Sequence, residues 1–257
     1  MTLKEQYIAF STIVVKEFMR FIRIWVQTVL PAMITMGLYF VIFGNLIGSQ
    51  IAPIKGFNYV DYIVPGIILM SMINNSYANV VSSFFSAKFQ RHIEEMLVSP
   101  MPNYLILLGF VGGGLARGLI VGVSVSFIAM FFADLQFHNL AIVLLVSVLT
   151  TILFALAGFI NAIYAKTFDD ISIIPTFVLT PLTYLGGIFY SVDMLPAFWQ
   201  TISYANPILY MINAMRYGML GVSDIDVSIA ITIIIGFVVA LYLYCLYLLR
   251  KGTGIRY

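Results

Sequence analysis

Residues 139–164, NLAIVLLVSVLTTILFALAGFINAIY, contain no Asp, Glu, Lys or Arg. An apolar run longer than roughly 18 to 20 residues can cross a hydrocarbon core about 30 Å thick, and in lipid the backbone of such a run must satisfy its own hydrogen bonds as a helix. Comparable runs recur at 24–47, 60–84, 104–132, 171–191 and 226–249, so the sequence predicts six spans. With 61% hydrophobic and 9% charged residues and a mean hydropathy of +1.01, the chain lacks the charge a water-soluble domain needs for its surface. The net charge of +2 gives no reason to expect nucleic acid, because the basic residues sit at the ends of apolar runs. Cys245 is the only cysteine, which excludes an intrachain disulfide and a cysteine metal cluster.

Lysine and arginine set the expected orientation. With a cytoplasmic amino terminus, the inside segments carry Lys4, Lys16, Arg20, Arg23, Lys88, Arg91, Lys166, Arg250, Lys251 and Arg256, and the outside segments only Lys55 and Arg216. That is the bias of a chain with both termini inside. Residues 1–23 do not read as a cleaved signal. Tyr7, Phe10, Val14, Phe18, Phe21 and Trp25 recur at helical spacing with Lys16, Arg20 and Arg23 mostly opposite, which predicts an amphipathic helix lying in the interface. Residues 193–221 are apolar but interrupted by Pro196 and Asn206–Pro207. A seventh span there would carry the carboxyl-terminal charges outside, so two short helices dipping into the outer leaflet are expected instead.

The stretch SAKFQRHIEEMLVSPMP, residues 86–102, is a charged island in this oily chain. Phe85, Phe89, Ile93, Met96 and Leu97 would share one face of a single helix, with Lys88, Arg91, Glu94 and Glu95 on the remainder and Arg91–Glu95 as an i,i+4 pair. Two readings fit: an interfacial connector, or a docking helix for a soluble partner. No Gly-Lys dipeptide occurs, hence no P-loop, and there is no H-E-x-x-H. His92 and His138 fall on opposite expected sides of the membrane, and no span holds a mid-helix carboxylate, which argues against a metal site, an intramembrane enzyme and a proton-coupled carrier.

Uncharged polar groups do occur within the spans. Ser71, Asn75, Asn79 and Ser83 repeat every fourth residue of the second, with Asn74 and Ser82 beside them, and Thr176, Thr180, Thr183 and Tyr184 lie in the fifth between Pro175 and Gly186–Gly187. Hydrogen bonding between helices and a polar strip on a substrate path both account for them. In the third, Gly109, Gly113, Gly114, Gly118 and Gly122 permit close helix approach, and Arg117 must pair internally or snorkel. Asp169 and Asp170 open the fifth span as N-terminal caps.

EEMLVSP after an amphipathic segment, then ARG, then PTFVLTPLTYLGGIFYSVDMLP and NPILYMINAMRYG, in that order, resemble the permease subunit of bacterial type-2 ATP-binding-cassette exporters over essentially the whole chain. The resemblance implies an all-α membrane protein in which 1–257 is one transmembrane domain: a connecting helix at 1–23, a coupling helix at 86–100 and external re-entrant helices at 193–221. It implies that Lys88, Phe89, Arg91, His92, Ile93, Glu94, Glu95, Met96 and Leu97 dock a separate ATPase subunit. The chain itself would need no cofactor, with ATP and magnesium bound by that partner. It further implies a homodimer in the inner membrane whose second and fifth spans line the path, putting Ser71, Asn75, Asn79, Thr176, Thr180, Thr183 and Tyr184 on it; Arg117, Asp169 and Asp170 would be structural or coupling residues. The rival readings are a membrane scaffold and a channel without active transport. A single cysteine placed at position 90 is expected to resist a membrane-impermeant maleimide in intact cells and to react after permeabilisation; labelling in intact cells would reverse the topology.

Overall fold

The protein is described here by a computed structural model covering residues 1–252 and 254; Arg256, one of the orienting charges, lies outside the described residues. The described residues are almost entirely helical, and the sole β-type pairing among them is one bridge between Ile54 and Phe57. Helix α1, Leu3–Arg23, starts at a capping box: the Thr2 hydroxyl accepts from the Glu5 amide and the Glu5 carboxylate accepts from the Thr2 amide at 2.8 Å. It breaks at Ile24, and α2, Trp25–Tyr39, continues through a wide-turned stretch, Phe40–Ile47, to a tight turn at Gly48–Gln50.

Helix α3, Tyr59–Phe89, is the axis of the molecule. At 1.5 Å per residue its 31 residues run about 46 Å. A short α4, His92–Val98, follows, then α5, Asn103–Ala129, and α6, Leu140–Tyr164. The helix expected to run from Phe85 to Leu97 is two helices. Arg91 adopts left-handed backbone, φ 61°, and turns the chain between Phe89 and His92. Arg91 therefore precedes α4 rather than lying within it, and it forms no ion pair with Glu95 among the described residues.

Four segments are long and apolar enough to cross a membrane by themselves: Trp25–Gln50, Asn103–Ala129, Leu140–Tyr164 and α11, Val227–Lys251. The expected second span falls on α3, which is not one of these four; its Ser76, Asn79 and Ser83 face neighbouring helices. The expected fifth, 171–191, is shorter than the sequence predicts. It comprises α7, Asp170–Ile174, a wide turn at Pro175–Leu179, and α8, Thr180–Leu185. At about 24 Å it falls short of the roughly 30 Å core. Pro175 and Pro181 each remove a backbone donor, and Gly187 at φ +79° ends the helical course. As expected, 193–221 divides at Asn206–Pro207 into α9, Ala197–Tyr204, and α10, Pro207–Leu220.

The packing depends on small residues. Between apolar helices in lipid there is little hydrophobic gain, so close approach and interhelical hydrogen bonds must hold the bundle. Gly114 and Gly118 of α5 lie against Val80, Ser76 and Thr151, while Gly158 of α6 sits over the backbone of α3. A Cβ at Gly158 would stand 2.6 Å from the Tyr77 carbonyl oxygen, and close by the Ser76 hydroxyl donates to the Thr151 carbonyl at 2.5 Å. The outside is oily: Ile229, Phe237, Leu243 and Tyr247 of α11 and Tyr7, Phe18 and Trp25 near the amino terminus are all exposed, which suits lipid and not water. Gly158→Ala is expected to lower stability by about 1–3 kcal/mol through overpacking against backbone that cannot yield, read as a lower unfolding midpoint in detergent.

Candidate functional site

The charged island sits on the end of α3. Ile93 of α4 is fully buried, while Phe89, Arg91, His92 and Glu95 are exposed and Glu94, Met96 and Leu97 are half-buried. Phe85, Phe89 and Phe168 pack ring on ring, with Phe89–Phe168 centroids 5.2 Å apart. Lys88 is turned inward. It is 7% exposed and its ammonium donates to the carbonyls of Ala162, Ile163 and Ala165 at 3.4, 2.5 and 2.7 Å. A cation on the open carbonyls of a helix C-terminus satisfies groups that have no intrahelical partner, so Lys88 ties the end of α3 to the end of α6. Burial pulls its ammonium below the ordinary lysine range.

A polar seam links α1, α3 and α5. Glu17 is fully buried; its Oε1 accepts from the Ser83 hydroxyl at 2.7 Å and its Oε2 lies 3.5 Å from Nε of Arg20. Nη2 of Arg20 donates to both the backbone oxygen and Oδ1 of Asn79 at 3.0 Å. One turn earlier on α3, Oδ1 of Asn75 accepts from Nη2 and Nε of Arg117 at 3.0 and 3.3 Å, and the Asn75 amide donates to the Ser71 carbonyl. Ser71 is fully buried and bonds within its own turn, to Ile68. Arg117 thus pairs internally, one of its two expected fates. Arg20, expected on the water-facing side of α1, instead reaches α3. Gly113 makes room for the seam: a Cβ there would fall 2.6 Å from that of Glu17.

The third group is split. Thr176, Thr180 and Tyr184 are exposed along one flank of 170–185, whereas Thr183 is buried and bonds to the Leu179 carbonyl at 2.6 Å. The Thr180 hydroxyl donates to Pro175 five residues back, closing the wide turn. The Tyr184 hydroxyl meets that of Tyr39 at 3.0 Å, and Tyr39, Phe43, Phe189 and Tyr184 stack with centroids 4.7–5.9 Å apart. Both wide-turned stretches flank this aromatic contact. Asp170 accepts from the Lys166 and Thr167 amides, and these bonds hold its carboxyl below the usual carboxylate range; Asp169 precedes α7 without a side-chain cap.

Residues 8–220 match the ABC-2 type transporter family. This chain belongs to that family. Over 250 residues it is 56% identical to "Inner membrane transport permease YadH" of Escherichia coli K12 and, equally, of Shigella flexneri, covering 97% of this chain and 98% of each relative. It is 25% identical over 209 residues to "Nodulation protein J" of Rhizobium leguminosarum bv. viciae, covering 81% of both chains.

Sequence reasoning missed two features of this ABC-2 chain. Glu17 is the first; its signal was its place on the Ile13–Glu17–Phe21 stripe, the face of α1 that packs. The second is a clamp at the opposite end of α3 from Lys88, built from the two basic residues counted as outside. Arg216, 1% exposed, lies 3.9 Å from the Tyr62 ring centroid, donates to the Gly187 carbonyl at 2.7 Å and stands 3.8 Å from Asp224. Lys55 pairs with Asp224 too, and Ser191 donates to it at 2.9 Å. Burial opposes ionisation of Asp224, but the bonds from Lys55 and Ser191 and the charges of Arg216 and Lys55 outweigh it, so its carboxyl lies below the ordinary value. The stabilisation is complete above about pH 4 and is lost as pH falls through the lower folded-state value. Asp224→Asn should cost about 3 kcal/mol by leaving Arg216 buried without its counter-charge, and the variant's melting temperature should lose its acid-side fall; an unchanged melting temperature would remove the clamp from the account.

Proposed function

We propose that this chain is the transmembrane permease subunit of an ATP-driven exporter of the bacterial inner membrane, working as a homodimer with a separate ATPase. Family membership and the similarity to inner membrane transport permeases named YadH support a transport permease in the inner membrane. ABC-2 permeases generally work with an ATPase subunit. The lack of a P-loop in this sequence fits a division of labour in which the nucleotide is bound elsewhere.

The observation that carries the coupling is the lever at 88–97. Its docking surface is Phe89, Arg91, His92, Glu94, Glu95, Met96 and Leu97; Ile93 anchors α4 from beneath and Lys88 locks the lever to α6. A push on α4 then meets a continuous 31-residue helix seated against α5 and α6 through glycines, so it displaces a rigid body instead of bending a loop. In this scheme 1–23 is the connecting helix, both termini are cytoplasmic, and six membrane-embedded segments are completed by α3 and by the short 170–185. Helices α9 and α10 cap the outer end, and Asn206, which donates to the Leu182 carbonyl at 2.6 Å, joins that cap to the fifth segment. The path falls to the exposed flank carrying Thr176, Thr180 and Tyr184 and to the open side of α3 at Asn75. Ser71, Asn79 and Thr183 are buried and lie behind that surface.

Reversing Glu94 and Glu95 to lysine in the complex purified with its ATPase, in nanodiscs, is expected to cut permease-dependent ATP turnover about tenfold or more, because the charge of the proposed docking surface is inverted. Unchanged turnover would rule out docking through this turn. Thr180→Trp should impair transport while leaving assembly and ATPase docking intact.

A further inference from the structure

The polar seam is short of negative charge. Among the described residues it contains one carboxylate, Glu17, against two guanidinium groups, and Glu17 is already engaged by Ser83 and Arg20. Arg117 meets only the neutral oxygen of Asn75. Asn75 and Asn79 occupy successive turns of α3, so the two arginines they hold reach α3 on neighbouring turns and carry like charge.

Neither guanidinium is used up. Arg117 donates through Nε and Nη2 and Arg20 through Nη2, while Nη1 of each makes no hydrogen bond among the described residues and remains accessible. Arg20 is 31% exposed along its side chain. The adjoining flank of α3 is open as well: Asn74, Asn75, Ala78 and Ser82 are half-buried, whereas Ile73, Tyr77, Val80 and Val81 are sealed. Two guanidinium groups on neighbouring turns, each with an Nη1 that no described residue engages, stand beside a half-buried flank of amides and a hydroxyl and offer charged donors to an oxyanion.

We propose that Arg20 and Arg117, held by Asn79 and Asn75, form a binding site for a phosphate-class anion. Since Arg20 stands on α1 beside the exposed apolar side chains Phe18, Met19 and Ile22, the occupant the site fits is the anionic headgroup of an amphiphile. This rests on the transport reading and gives the class of cargo or regulatory lipid that the open side of α3 would admit.

The test needs neither ATP nor the ATPase, so its outcome is separate from that of the coupling experiment. The full-length chain is released from detergent in a native mass spectrometer after incubation with phosphatidic acid, phosphatidylcholine or inorganic phosphate. The wild type should retain phosphatidic acid over phosphatidylcholine. Asn75→Asp supplies Arg117 with an internal counter-charge, so the variant should fold at least as well as the wild type and lose about tenfold in that retention. Arg117→Gln should lose it likewise, and Arg117→Lys, which keeps the charge without the fork, should fall between. Retention of inorganic phosphate with the same dependence on Asn75→Asp would support the site and identify a free ion as its source. Retention equal in wild type and Asn75→Asp, or no preference for the anion in the wild type, would overturn the proposal.

Discussion

The close seating of α3 against α5 and α6 is the constraint on which the rest depends. In an oily solvent, apolar side chains gain little by leaving lipid for one another, so helices adhere where backbones come near enough for dispersion contacts and hydrogen bonds. Gly114, Gly118 and Gly158 allow that approach, and Ser76 uses it to reach across to Thr151. The result is a central helix packed closely against both neighbours. Its two ends are tied by charge in different ways: Lys88 grips the carbonyls that end α6, and Tyr62 stacks beneath Arg216 in the clamp with Asp224. About 39 Å of helix separates these two residues.

The polar seam gives α1 its place. A helix on the membrane surface could hold on by its aromatic stripe alone, yet α1 places Glu17 and Arg20 against α3 and α5, over Gly113. Burying a carboxylate there is tolerable because Ser83 donates to it and Arg20 lies beside it. The seam thereby links the amino-terminal helix to the helix that precedes α4. Arg117 extends the seam toward the open flank and leaves its charge uncompensated.

The two wide-turned stretches, Phe40–Ile47 and Pro175–Leu179, stand on either side of the Tyr39–Tyr184 contact. Wide turns interrupt the regular backbone ladder and are frequent at functional sites.

Much of this was legible in the sequence. Long uncharged runs have one solution in lipid, so the helical class and four of the spans follow from composition and length alone. The break at Asn206–Pro207 follows from proline's missing donor, and the order of the motifs in 86–102 and 175–221 carried the family. The tertiary structure decided what spacing cannot: which face of each helix meets protein. Lipid leaves apolar residues exposed, so the apolar stripe of α1 did not mark its packed face, and Glu17 passed unnoticed. Nor does a period of four say whether Asn75 and Asn79 meet a path or an arginine, since the answer lies on α1 and α5, dozens of residues away in the chain. Lys88 reads as a surface charge in every local pattern; only the meeting of the ends of α3 and α6 turns it inward, because three carbonyls without partners are waiting there.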